Sequence, residues 1–487
     1  MNRDKVLAAT VARCREQNIL IPTYRQMAHP ELMPAGVHEE LKQIGLWDIN
    51  PRNLFRISWK NEPVPSGGGH GGVNHMVLPP ELTGVPARIV VLLGRWFPTG
   101  AHKVGATFGP LVEKLVSGDF DPTTQKALWP STGNYCRGGA FNSRLLGCPS
   151  IAVLPDEMSR ERFEWLEEVG AEVIRTPGGE SNVKEIYDKV HELKARHGDS
   201  IVVLNQFAEF GNPMWHYWVT GPAMEEVFQT TSQPGDRFSG LFLTQGSAGT
   251  LGSGDYLRTR FPLIKIGAGE ALECPTLLLN GFGAHRIEGI GDKHVPWVHN
   301  MKNTDMVVDL RDEHVMRLLR LFNEPAGKAR LIEQGVDPTV VSQLDNLGIS
   351  GIANVLGAIK MARYWEMNSR DTLFTVATDS LDMYRSRLAE MNDERGEYTP
   401  TQAAVDFEHC LLDTGVDHLL ELSWQDRKRM HNLKYFTWVE QQGKTATELN
   451  AQWTQDDYWE QQYSRVEEWD EKIRAFNERT GMAARYQ

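Results

Sequence analysis

The chain has little that would hold it together covalently. Its five cysteines (Cys14, Cys136, Cys148, Cys274 and Cys410) are odd in number, scattered and without CxxC spacing. That excludes a disulfide framework and favours free thiols in a reducing compartment. No run of about 18 apolar residues occurs, so no membrane span is expected. The N-terminal stretch MNRDKVLAATVARCREQN puts charge in every turn and has no apolar signal core. Basic residues are outnumbered: 51 Lys and Arg stand against 64 Asp and Glu, for a net charge of −13. Such a balance argues against a nucleic-acid or anionic-membrane surface. His70 and His75, in SGGGHGGVNH (66–75), lack a cysteine or carboxylate set and read as loop or flap residues, not metal ligands. A cytoplasmic protein with no metal, nucleic-acid or membrane partner is the expectation.

What is present is an ordinary globular composition over 487 residues, with 41 % hydrophobic and 24 % charged residues, enough for two or three domains and a large core. The runs IVVLLG (89–94), SIAVLP (150–155), SIVVLN (200–205), GLFLTQG (240–246) and TLFTVAT (372–378) are short and β-branched. Amphipathic stretches such as ERFEWLEEVG (161–170) and VKEIYDKVHELKARHG (183–198) separate them. This alternation predicts an α/β fold with a mostly parallel, buried sheet. Helical spacing also marks residues 3–18 and 456–476. After about Asn392 the chain turns acidic and aromatic, and its tryptophans (Trp424, Trp438, Trp453, Trp459 and Trp469) are expected to pack helices or a subunit contact.

Four segments carry chemistry. PTGAHKVGATFG (98–109) follows the first apolar run, and a small-residue turn that opens a helix there would desolvate Lys103 enough to make its amine nucleophilic. In WPSTGNYCRGG (129–139), small polar residues and Asn134 precede a helix, a turn suited to a carboxylate. LFLTQGSAGTLGSG (241–254) places Gly246, Ser247, Ala248, Gly249 and Thr250 between a strand and a helix, which suits a phosphate cradle. It is not a G-x-G-x-x-G turn and comes late in the strand series, so a nicotinamide site is not expected there. TLFTVATDSLDMY (372–384) ends a strand at Asp379 and Ser380. Whether a hydroxyl or a carboxylate meets a cofactor's ring nitrogen sets how strongly electrons are withdrawn.

In this order the segments resemble fold-type II pyridoxal 5′-phosphate (PLP) enzymes, above all cysteine synthase and cystathionine β-synthase. TGAHK is closer to the tryptophan synthase β subunit. NQFAEFGNPMWHYWVTGPAMEEV (205–227), GAHRIEGIGDKHVP (283–296) and GISGIANVLGAIKMA (348–362) extend the resemblance over roughly residues 80–390. It implies a two-domain α/β PLP enzyme with mostly parallel sheets. A catalytic core at 81–392 would contain two interleaved subdomains, the smaller at roughly 125–220. An N-terminal extension (1–80) and a helical C-terminal extension (393–487) would flank it. Lys103 would be the Schiff-base lysine and general base, and Asn134 would face the cofactor's phenolic oxygen. Gly246, Ser247, Ala248, Gly249 and Thr250 would hold the phosphate, and Ser380 would meet the pyridine nitrogen. Ser131, Thr132 and Gly133, with Gln206, would grip the substrate carboxylate.

The sequence departs from the family after Asn134, where Tyr135, Cys136 and Arg137 replace a small Thr-Gly pair. Tyr135 and Arg137 there suit a larger or doubly anionic substrate, unless Arg137 lies on the helix face away from the pocket. The implied activity is β-replacement on an amino acid through an aminoacrylate. β-Elimination to pyruvate and ammonia, on an anionic sulfur- or phosphate-containing amino acid, is the alternative. A catalytically silent binding protein is the non-enzyme alternative. A homodimer is expected from the family.

Overall fold

The uninterrupted apolar runs become strands covered on both faces. The computed structural model describes residues 2–486. Its first strands are β1 (His75–Leu78), β2 (Arg88–Leu93), β3 (Lys126–Pro130), β4 (Ser150–Pro155), β5 (Glu172–Thr176) and β6 (Ile201–Val203). They are followed by β7 (Arg237–Thr244), β8 (Lys265–Ala271), β9 (Met306–Leu310), β10 (Asp371–Ala377) and β11 (Leu419–Glu421). Seven of these form one sheet in the order β1-β2-β10-β7-β8-β9-β11, and four form a second, β5-β4-β3-β6. The second sheet is wholly parallel, and in the first only the edge pairs β1·β2 and β9·β11 are antiparallel. All seven residues of β10 are buried, as a parallel strand between two helical layers requires.

Each predicted apolar run coincides with a strand, and the predicted helices form over Arg3–Glu16, Arg160–Val169 and Val183–His197. The stretch 456–476 is divided between Tyr458–Ser464 and Val466–Thr480. The region after 393 is mostly helical, but it also supplies β11, which closes the large sheet by pairing with β9. Its tryptophans divide: Trp438 is fully buried and donates to the Val295 carbonyl at 2.8 Å, while Trp424 is 61 % exposed. Among the described residues no helix is long and apolar enough to cross a membrane.

The two ends of the chain are sewn together beside the lysine helix. Asp470 accepts from the backbone N–H groups of Tyr24 (2.7 Å) and Arg25 (3.2 Å). Asn477 both accepts from the Ile21 N–H (3.1 Å) and donates to the Ile21 carbonyl (2.7 Å). Leu20, Met33, Val37, Leu41 and Phe55 pack with Met482 and Tyr486 in a shared core. Tyr24 then reaches Glu113 on the helix Lys103–Ser117 at 3.2 Å.

Candidate active site

The segments that follow β2, β3, β7 and β10 converge on one cleft, at the carboxyl ends of parallel strands where α/β folds bind ligands. Lys103 is the first residue of the helix Lys103–Ser117, and its Nζ donates to Ser247 Oγ at 3.2 Å. Burial pulls its amine down to about 8, against the opposing pull of Asp292 and Glu180. The turn before it is strained: Thr99, a β-branched residue, has φ 68°. His102 is held on the other side of the backbone, its ring nitrogen 3.1 Å from Thr378 Oγ1 and its ring stacked on Trp215. Burial lowers this imidazole to about 3, so it is neutral at physiological pH.

The other predicted residues divide into those that line the cleft and those behind it. Ser131, Thr132, Asn134, Tyr135, Gln206, Gly246 and Ser247 line it with Lys103. Gln206 Nε2 donates to Ser131 Oγ at 2.9 Å, and the Tyr135 hydroxyl is buried without a partner. Asn212 Nδ2 donates to both the Gln206 carbonyl (2.9 Å) and Ser247 Oγ (3.1 Å), which joins the two anion-binding turns. Ala248, Gly249 and Thr250 continue the second turn into the helix Gly252–Arg260. Ala248 has φ 59°, and a side chain at Gly249 would fall 2.0 Å from Asn212 Oδ1, so only glycine fits. Gly133 lies behind the lining, against the Arg162 guanidinium.

Two predicted roles meet a different geometry. Arg137 is fully buried and does not line the cleft. It donates to Asn134 Oδ1 (3.2 Å) and the Thr99 carbonyl (2.9 Å), with its guanidinium against the rings of Trp165 (4.9 Å) and Trp47 (5.6 Å). It therefore lies on the far side of its helix and braces the lysine turn instead of receiving an anion. Ser380 caps the turn Leu381–Met383, its Oγ accepting from the Asp382 N–H at 3.4 Å. Its neighbour Asp379 is turned toward the site, where Oδ2 accepts from Asn134 Nδ2 (2.6 Å) and the Tyr384 hydroxyl (2.7 Å). Burial raises this carboxyl, with Arg162 as the main opposing influence.

Sequence reading missed Glu180, Phe207, Gly289, Asp292 and Thr378, all of which line the cleft. Glu180 and Asp292 are buried carboxyls raised by burial to about 8 and about 7. The Thr132 hydroxyl donates to Glu180 Oε1, while Glu180 Oε2 and Asp292 Oδ2 have no hydrogen-bond partner. The only signal for them was an acidic residue inside each of two glycine-bearing loops, PGGES and GIGDK. The assembled donor set fits PLP: a buried amine of lowered basicity, an asparagine already oriented, and a turn of small residues that opens a helix.

Residues 80–327 match the protein family described as pyridoxal-phosphate dependent enzyme. The chain is 29 % identical over 258 residues to a cysteine synthase of Staphylococcus aureus, covering 53 % of this chain and 74 % of that one. In three dimensions it resembles a cysteine synthase of Entamoeba histolytica (TM-score 0.56, 21 % identity, 69 % of this chain and 93 % of that one). It also resembles a hydrogen sulfide-producing enzyme of Fusobacterium nucleatum (TM-score 0.53, 23 % identity, 66 % and 88 %). At these identities the structural likeness speaks for the fold alone.

Proposed function

Because this chain belongs to the pyridoxal-phosphate dependent enzyme family, we propose that it catalyses replacement at Cβ of a small amino acid, as a cysteine synthase does. The observation that carries this is Lys103, a buried amine drawn down to about 8 in a cleft with two anion-binding turns. The cofactor, when bound, supplies the electron sink that makes the Cα–H bond acidic.

Every other part belongs to the protein. Lys103 would hold the cofactor through its amine, and that same amine, when free, is the base that would take the Cα proton. Its lowered basicity keeps a useful fraction of neutral amine near pH 7–8. The turn from Ser131 to Gly133, with Gln206 on Ser131, holds the substrate carboxylate, and Tyr135 borders the side chain. Residues 246–250 hold the phosphate. Asn134 keeps its second amide N–H for the phenolic oxygen, because Asp379 and Arg137 occupy its other groups. A leaving group then departs from Cβ, and a nucleophile adds in its place.

Elimination, which ends in pyruvate and ammonia, uses the same residues up to loss of the leaving group. Incubating the enzyme with O-acetyl-L-serine, with and without sulfide, separates the two. Sulfide-dependent cysteine formation supports replacement; equal pyruvate release in both reactions overturns it. Lys103→Ala should lower the rate by about a thousandfold or more and abolish borohydride fixation of the cofactor. We further infer a cytoplasmic homodimer. The five free, buried cysteines support a reducing setting. The exposed Leu279 and Phe282, beside the 283–296 segment, support an apolar subunit contact.

A further inference from the structure

The charged side chains lining the cleft are Lys103, Glu180 and Asp292. The cation that the sequence offered for an anionic substrate, Arg137, is behind the wall and engaged with Asn134 and Thr99. Glu180 and Asp292 are 4 % and 3 % exposed, and each presents a buried oxygen with no hydrogen-bond partner. Such an oxygen is costly until a donor reaches it. The protein offers few donors. Arg162 Nη1 lies 3.8 Å from Glu180 Oε2, but it sits closer to Glu288 Oε2 (3.1 Å) and the Thr132 carbonyl (2.9 Å). The amine of Lys103 is the remaining cation, and it is committed when the cofactor is attached. The phosphate of that cofactor adds further negative charge to the same cleft.

We propose that Glu180 and Asp292 form an acidic subsite for the substrate side chain. It favours small L-amino acids whose Cβ substituent is an ammonium or a neutral hydrogen-bond donor, accepts a neutral ester and disfavours anionic substituents. The inference rests on the amino-acid reading above and narrows it, since the cleft then disfavours phosphorylated or sulfonated substrates. The two carboxyls come from the turn after β5 and from the segment between β8 and β9, so both halves of the fold take part in selection.

The test is a binding titration of the holoenzyme, read from the cofactor's visible band and by calorimetry. The probes are L-2,3-diaminopropionate, L-serine, O-acetyl-L-serine as a neutral size control, and O-phospho-L-serine. Diaminopropionate should bind about tenfold or more tightly than phosphoserine, because an ammonium stabilises the ionised form of the buried pair and a phosphate group does not. In the Glu180→Gln/Asp292→Asn double variant that ratio should fall toward one, while O-acetyl-L-serine changes little. The single variants serve if circular dichroism shows the double variant unfolded. A ratio that survives these substitutions, or wild-type affinity for phosphoserine equal to that for O-acetyl-L-serine, overturns the subsite and leaves the Cβ reaction standing. If no amino acid perturbs the band, the amino-acid reading itself fails.

Discussion

On the Asn134 wall of the cleft each buried group is tied to the next. Arg137 joins the Thr99 carbonyl to Asn134, Asn134 is bonded to Asp379, and Tyr384 bonds both Asp379 and Arg162. Glu180 and Asp292 line the same cleft outside that chain, and each keeps a buried oxygen with no hydrogen-bond partner, as Asp379 Oδ1 does within it. The Asn134 wall is preorganised, since its side chains are already fixed where a cofactor needs them. The carboxyl pair bears an energetic penalty in the unliganded protein, a frequent property of sites whose partner arrives from outside.

Three changes would break or sharpen this contrast. Arg137→Ala should have the largest effect, because it leaves the Thr99 carbonyl and Asn134 Oδ1 without their buried charged donor. Losing a buried charged donor costs about 1.5–3 kcal/mol, and the denaturant midpoint should fall accordingly. Cofactor affinity should fall with it, since Asn134 loses its orientation. Arg137→Ala with unchanged stability would mean that the wall is not a unit.

Asp292→Asn should act in the opposite direction, and only in one pH range. Burial raises this carboxyl to about 7, above its unfolded range, so ionising it opposes folding. Its contribution to stability is whole below pH 4 and is lost as pH rises toward and through 7. The neutral variant should therefore melt about 2–4 °C higher than the parent at pH 8 and no higher at pH 4. An equal difference at both values would assign the effect to packing.

Trp47→Ala is the mildest. The ring lies 5.6 Å from the Arg137 guanidinium and against Gly100, where an added Cβ would come within 2.8 Å of it. Losing that cover should cost about 1 kcal/mol, the size of one partly exposed cation–π contact. Cofactor release should quicken slightly, as followed by absorbance after dilution. No change would confine the N-terminal segment to a packing role elsewhere.

The sheet was legible wherever residues are uniformly apolar, as in RIVVLL, SIAVLP and DTLFTVA, because a doubly covered strand needs no alternation. It was not legible in β8, KIGAGEA, whose glycines and Glu270 belong to a strand only through its neighbours. The third strand of the small sheet, KALWP, was hidden by its proline. In the site, Lys103, Asn134 and the turn at 246–250 stood out because small residues next to a strand end have few other uses. Glu180 and Asp292 did not, since an acidic residue in a glycine-bearing loop looks like any solvated turn. Only the fold brings these two loops, 112 residues apart, to one cavity. Arg137 was left open between the pocket and the far face of its helix for a related reason: helical spacing gives its angular position but not which face meets the cleft.

The seam between the chain's ends bears on folding time. Tyr24 and Ile21 find their partners about 446 and 456 residues further along, at Asp470 and Asn477. Contacts of such separation form slowly, because long loops must close before they stabilise anything. During synthesis the lysine helix is therefore made early but waits for its outer brace until residue 477 has left the ribosome. A nascent chain should reach a collapsed α/β core well before it can retain the cofactor, and the helix Val466–Thr480, not the catalytic lysine, would set the moment of activation.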